Sequence, residues 1–389
     1  MSAWGEFAPP CLATPPLPYS RHVTSTDDTP AEAPGPTGKS RADGRSTGPR
    51  KRRRRWPIVL GILGGLVILA VGAVVGYGLY LDSKLERFAD PFAGLDDATR
   101  PTAAPTSDGG TAAVNILILG SDSRISAGDP ESWEAGAQRT DAIMIAHLTA
   151  NRQHAYVMSI PRDSWVDIPG HGQAKINAAY SYGGPALMTQ TVEELTNIRI
   201  DHVAIADFES FTSLTDALGG VDITVPEDAY DRGELLFTAG EHHMDGEQAL
   251  KYTRQRYGLP GGDFDRVKRQ QNWLRAMAAQ AIEGGSLTNP VRLTGLLDAV
   301  TESVAVDETF GRDRMVDLAR GISGLQGEDL EFLTIPTTGT GWSPDGKQSI
   351  VVLDEPAMRP LLDAIADDSI ASYLKKNPDA VDLLDETVR

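Results

Sequence analysis

Apolar positions fall into three regimes along the chain. Residues 1–57 show no apolar period and are rich in Pro, Thr, Ser and Gly. Such a composition buries too little to offset the entropy of ordering, so a disordered tail is expected. Residues 58–81 then run without a single charge. As a helix those about 24 residues span roughly 36 Å, enough to cross a bilayer with some tilt. From about residue 112 the pattern changes to short apolar runs separated by segments of helical period.

The runs "AVNILILG" (113–120), "DAIMIAHL" (141–148) and "AYVMSIP" (155–161) are nearly continuous apolar stretches, as strands buried on both faces are. "HVAIADF" (202–208), "VDITV" (221–225) and "LEFLTI" (330–335) read as further strands. Helices are predicted over 184–197, over "ESFTSLTDAL" up to the stop at Gly219-Gly220, over 245–256 and over 263–283, where Asp263 is a fitting N-cap. Two more helices follow before 330. Strands alternating with helices predict one α/β domain whose helices cover a mainly buried sheet. The polar stretch "DDATRPTAAPTSDGG" (96–110) reads as part of a linker, 82–111, so the folded domain is expected to occupy 112–389.

Charge sharpens this picture. The net charge is -18, yet residues 1–57 hold ten Lys/Arg against five Asp/Glu, a net of +5 that leaves -23 for the rest. An acidic folded part makes nucleic acid a poor partner, since phosphate binding wants a basic surface. The basic run 50–55 directly precedes the apolar span. Positive-inside logic therefore predicts a single-pass cell-membrane protein with a cytoplasmic N-terminus and an extracytoplasmic domain. A cleaved signal peptide fits less well, because about 57 residues precede the span and no small-residue cleavage site follows it. His242-His243 is adjacent rather than i, i+4, so it is read as loop polarity and not as a metal pair. The only cysteine, Cys11, supports neither a disulfide framework nor a zinc site.

Candidate chemistry gathers at strand ends. Asp122 and Arg124 follow one strand in "GSDSR"; Arg139 and Asp141 open another in "RTD"; Arg162 and Asp163 follow a third in "IPRDS". The stretch "YTRQRYGLPGGDFDRVKRQQ" adds Arg254, Arg256, Asp263, Arg266, Arg269 and Gln270. Singly, each residue has an ordinary reading as a turn former, a surface pair or a helix-end charge. Together, so many guanidinium groups repel one another unless an anion neutralises them, and their forks match phosphate oxygens. Carboxylates among them point to a hard divalent cation shared with phosphate, hence a magnesium–pyrophosphate site. No Walker A, no Gly-rich dinucleotide fingerprint and no G-x-S-x-G elbow occurs.

These motifs, with "NILILGSDSR", "RTDAIMIAHL", "SIPRDSWVDIP", "KINAAYSYGG" and "HVAIADFESFTSLTDALGGVDITV", resemble the LytR-CpsA-Psr family of cell-envelope ligases over about 114–275. The resemblance implies a single extracytoplasmic α/β(α) sandwich domain with a mixed central sheet. It implies transfer of a glycopolymer from a polyprenyl-pyrophosphate carrier to a peptidoglycan hydroxyl, generally muramic acid C6. It further implies Mg²⁺, with Mn²⁺ as a substitute, on Asp122 and Asp141. Arg139, Arg162, Arg254 and Arg256 match the family's pyrophosphate arginines, and Arg266 and Gln270 match further pocket positions. Arg269 and Asp263 fall in the same motif, where Asp265 stands in place of the usual glycine. Asp122, Arg162, Arg254 and Arg256 are the residues expected to carry catalysis. Either Asp122 or Asp263 could serve as general base. The lipid is expected in an apolar tunnel near Phe208, Phe211 and Leu218, positions that core packing explains equally well. A non-catalytic membrane-bound regulator or lipid-binding module, and a polyprenyl-pyrophosphate hydrolase, stand as the alternatives.

Overall fold

The computed structural model describes residues 80, 83–107, 110–121, 140–255, 259, 261, 263–284, 290–322, 324–385 and 387–388. The expected disordered tail, 1–57, and the apolar run 58–81, Tyr80 apart, lie outside them. Among the described residues no helix is long and apolar enough to cross a membrane.

The first half of the fold comprises β1 (Glu86–Phe88), β2 (Val114–Ser121), β3 (Thr140–Leu148), β4 (Ala155–Ser159), β5 (Trp165–Ile168), β6 (Gly172–Lys175), α1 (Asn177–Thr196), β7 (His202–Asp207) and α2 (Phe208–Ala217). There follow β8 (Val221–Val225), β9 (Ala229–Asp231), β10 (Glu234–Phe237), β11 (Gly240–Met244), α3 (Gly246–Arg254), α4 (Asp263–Glu283) and α5 (Pro290–Ser303). The last part holds β12 (Val304–Asp307), α6 (Arg312–Ile322), β13 (Leu330–Thr334), β14 (Thr337–Trp342), β15 (Ser349–Leu353), α7 (Glu355–Ala366) and α8 (Ile370–Lys376).

Seven strands form one mixed sheet in the order β1-β12-β7-β2-β3-β4-β13. β7, β2, β4 and β13 run one way, while β3, β12 and β1 run the other. The apolar runs explain the burial on both faces. Leu117, Leu119, Ile143, Ile145, Tyr156 and Met158 join Met188 of α1 and Leu361 of α7 in the main core. The alternate positions face the other way: Met144 and Val157 meet Phe332, with Leu274 of α4 packed against them. The period of 2 along each strand thus builds an α/β(α) sandwich with a mixed central sheet, as expected.

The boundary expected at residue 112 is corrected. Within the expected linker 82–111, the described residues 83–107 are not free: β1 pairs in parallel with β12, and Phe88 is part of the main core. Arg100 donates to both carboxylate oxygens of Glu193, at 3.0 and 2.7 Å, and to the Ile200 carbonyl at 2.6 Å. A few apolar positions, Phe88 and Phe92 among them, and the Arg100–Glu193 pair dock a stretch whose Asp, Thr and Pro content reads as linker.

Local signals account for most other boundaries. Asp245 caps α3 through a reciprocal box with Gln248. Helix α1 starts seven residues before the expected 184, because two helical stretches join across a kink at Gly183-Gly184, where Gly184 has φ 63°. Gly220, at φ +100°, passes under His243 so closely that a Cβ would lie 2.4 Å from its Nε2. His242 and His243 belong to β11, not to a loop; His243 Nδ1 lies 2.7 Å from Asp222 Oδ1 across the β8–β11 pair. That contact holds the imidazole above its ordinary pKa.

Candidate active site

The site lies where the C-terminal ends of β2, β4 and β13 meet the start of β3. Between β2 and β3 the register slips: Gly120 pairs with Ala142 and Ser121 with Thr140, leaving Asp141 opposite no residue. A bulge of this kind re-aims one side chain at a sheet end. It also explains Gly120, whose added Cβ would lie 2.8 Å from that of Ala142. The re-aimed Asp141 carboxylate accepts a hydrogen bond from Arg162 Nη1, across from the end of β4.

Arg162 is fixed from its backbone. Its carbonyl accepts from Asn177 N at 3.2 Å, at the start of α1. The next carbonyl, of Asp163, accepts from Val351 N of β15 at 2.9 Å, and the Asp163 carboxylate pairs with Lys175 at 3.0 Å. Two strands and a helix therefore hold this guanidinium on rigid elements.

Helix α4 sits across the same end. Gln271 Nε2 donates to Ser159 Oγ of β4 and to the Leu333 carbonyl of β13, both at 2.8 Å. Trp273 Nε1 donates to Thr215 Oγ1 of α2 at 3.0 Å. With the helix pinned so, Arg266, Arg269 and Gln270 lie on one adjoining face, spaced i, i+3, i+4, and all three are buried. Burying two guanidinium groups on one helical face is costly in isolation. Arg269 Nη1 donates to the Tyr252 carbonyl at 3.0 Å and to Gln255 Oε1, and the group lies 4.5 Å over the Tyr252 ring. Burial accordingly pulls its pKa below the ordinary arginine value. Arg269 thus ties α4 to the end of α3, where Arg254 is exposed.

Buried polar atoms left without a hydrogen-bond partner cluster here. Thr140 Oγ1 adjoins Asp141, Ser164 Oγ follows Arg162, and Gln270 Oε1 lies on the α4 face. Each such atom costs desolvation free energy, a pattern typical of sites that a ligand completes.

Asp122, Arg139 and Arg256 lie outside the described residues. Asp263 opens α4, but its side chain is also outside them. The structure thus brings together Asp141 and Arg162, and separately Arg266, Arg269 and Gln270. Among the described residues no group of three or more His, Cys, Asp or Glu could hold a metal. One carboxylate, Asp141, does fit the habit of Mg²⁺, which takes one or two carboxylates and completes its shell with phosphate and water. Of the apolar positions expected against a lipid, Phe211 packs on Trp273 with ring centroids 5.5 Å apart. Leu218 joins Leu214, Trp273 and Met277 in a second apolar cluster, distinct from the main core. Sequence reasoning missed Gln271 and Tyr252. The run of three amides, Gln270-Gln271-Asn272, inside a helix that had to be covered was the available signal.

Comparison with known proteins adds identity to this geometry. Residues 93–364 match the model of the LytR_cpsA_psr family. The "Probable cell wall biosynthesis protein LcpB" of Corynebacterium glutamicum is 38% identical over 277 residues, covering 69% of this chain and 62% of that protein. The chain thus spans about three fifths of the length of that curated relative. "Polyisoprenyl-teichoic acid--peptidoglycan teichoic acid transferase TagU" of Oceanobacillus iheyensis is 30% identical over 312 residues, covering 78% of this chain and 92% of that one. Among solved structures, a "LytR-Csp2A-Psr enzyme from Actinomyces oris" superposes with a TM-score of 0.53 at 21% identity, over 73% of this chain and 96% of that one. That last likeness is one of fold.

Proposed function

Because the chain belongs to the LytR_cpsA_psr family, we propose that it transfers a glycopolymer from a polyprenyl-pyrophosphate carrier to a hydroxyl of peptidoglycan. The acceptor is the muramic acid C6 hydroxyl. A new phosphodiester joins polymer to wall, the pyrophosphate P–O–P bond breaks, and polyprenyl phosphate leaves. Supporting this reading is one observation above all: a buried guanidinium face on α4, a helix bonded through Gln271 to the end of β4, the strand that Arg162 follows.

Phosphoryl transfer asks the protein mainly for positioning and neutralisation of charge. Arg162, held by its backbone, exchanges Asp141 for a phosphate oxygen when substrate arrives. Asp122 and Asp141 would hold Mg²⁺, with Mn²⁺ as a substitute. When bound, the ion supplies neutralisation of the pyrophosphate and of the departing phosphate. Arg266 and Gln270 present donors from the other side, with Arg254, Arg256 and Arg139 completing the arginine set. Arg269 acts on the α3–α4 junction. A carboxylate takes the acceptor's proton; Asp122 and Asp263 are its candidates. The lipid lies in an apolar tunnel bordered by Phe208, Phe211 and Leu218. The apolar run 58–81 anchors the domain at the outer membrane face, where such a carrier resides.

The test is to incubate full-length protein with labelled carrier-linked glycan, Mg²⁺ and peptidoglycan. Label on the wall supports transfer. Free phosphorylated glycan would instead make the protein a hydrolase, and unchanged substrate would make it a binding module.

A further inference from the structure

Residues 380–388 lie beyond the stretch that the family model matches, 93–364. They are nonetheless bonded to the helix that carries the site. Lys268 of α4 pairs with Asp382 at 3.0 Å. Further along the helix, Arg275 Nη1 donates to the Asp385 carbonyl at 2.8 Å, and its Nη2 donates to Asn272 Oδ1 at 2.7 Å. Asn272 Nδ2 in turn reaches Tyr252 OH at 3.3 Å, and that hydroxyl points at the Val388 carbonyl, 3.4 Å away. The same segment is tied to the sheet: Leu384 N donates to the Phe332 carbonyl of β13 at 2.8 Å. Val381 and Val388 are buried.

Lys268, Asn272 and Arg275 follow the i, i+4, i+7 spacing of one helical stripe, centred roughly 150° around the axis from the face that bears Arg266, Arg269 and Gln270. Tyr252 links the two, because its carbonyl and ring hold Arg269 while its hydroxyl meets the segment's end. We propose that residues 380–385 with 387–388 form a strap that sets the rotation of α4 about its axis and so positions the anion-binding face. Lys268, Asn272, Arg275 and Tyr252 are positioning residues in this scheme. The proposal rests on the transferase reading above. Its leverage is geometric, since a misplacement of about 1 Å at a reacting group can cost about 10²-fold.

The experiment uses farnesyl pyrophosphate with Mg²⁺ as probe. Its Kd is measured by calorimetry for the full chain, for a chain ending at Asp379, for that shortened chain plus a peptide of residues 380–389, and for Arg275→Met. Amide exchange of residues 380–388 in the full chain is followed with and without probe. The strap predicts at least tenfold weaker binding by the shortened chain, recovery with the peptide, and at least threefold weaker binding by Arg275→Met. It also predicts slower exchange in the segment when probe is bound, because coupling between two sites is reciprocal. If the shortened chain unfolds, Arg275→Met and the exchange data decide. Unchanged affinity in Arg275→Met, or binding that leaves exchange in the segment unaltered, would overturn the strap alone. No binding by the full chain would overturn the transferase reading and the strap with it.

Discussion

Two arginines withdrawn from solvent, Arg100 half-buried and Arg269 buried, show how differently one side chain can be used. Both lie over an aromatic ring, Phe92 at 4.3 Å and Tyr252 at 4.5 Å. Burial pulls on both alike. At Arg100 the two hydrogen bonds and the charge of Glu193, helped by Asp97 and Asp201, more than offset burial, so its pKa ends above the ordinary value. At Arg269 burial dominates over the pull of Tyr252, Asp265 and Glu227, and its pKa ends below. The first guanidinium sits in a field already made negative. The second is dominated by its burial, despite Asp265 and Glu227, and shares its helical face with Arg266. The α1 end of the molecule therefore uses arginine as a clamp, and the α4 end holds cationic potential in reserve for an anion.

The largest effect that would sharpen this contrast is on stability. Arg100→Ala leaves Glu193, 3% exposed, as a buried carboxylate without its partner. Denaturant unfolding should show a loss of about 3–5 kcal/mol, while transfer per folded molecule stays within a factor of about two of wild type. Next in size, Arg162→Ala should lower the rate of transfer by about 10²–10³ and leave unfolding nearly unchanged. Loss of stability without loss of rate would make Arg162 another clamp and break the comparison. Asp141→Asn should cost on the order of 1.5–3 kcal/mol of transition-state stabilisation, read from kcat/KM. Chelator should reproduce that defect in the wild type, Mg²⁺ or Mn²⁺ should reverse it, and chelator should add little to the variant's defect. Full activity in chelator would return Asp141 to a plain ion-pair residue. Smallest of all, Glu247→Gln breaks an exposed i, i+4 pair with Lys251 on α3 and should shift neither melting temperature nor transfer measurably.

The two ends are not equally legible in the sequence. The central strands announce themselves because burial on both faces demands continuous apolar runs, and the pattern bounds α4 at both ends, as Asp263–Glu283. Asp141 and Arg162 are recognisable as charges at strand ends. Their pairing depends on a one-residue bulge and on a glycine that permits close approach, neither of which has a composition signal. The clamp end is hidden. Phe88, Phe92 and Arg100 dock as isolated positions without a period, so "DDATRPTAAPTSDGG" keeps the composition of a linker while its neighbours serve as an edge strand. β14 escapes for a related reason: "TTGTGW" has too few apolar positions to show a period. Arg266, Arg269 and Gln270 are legible as a shared helical face. The division of labour among them depends on what α3 and β13 place alongside, which spacing within one helix does not encode.

Whether the α4 end holds charge in reserve for a pyrophosphate is tested most directly by one titration. Farnesyl pyrophosphate with Mg²⁺ is titrated into wild type, Arg162→Ala and Arg100→Ala at a temperature where all three are folded. Arg162→Ala is expected to bind at least tenfold more weakly, a loss of about 1.4 kcal/mol or more, and Arg100→Ala is expected to bind as wild type does. Equal affinity in Arg162→Ala and wild type, or an equal loss in both variants, would refute the reserve.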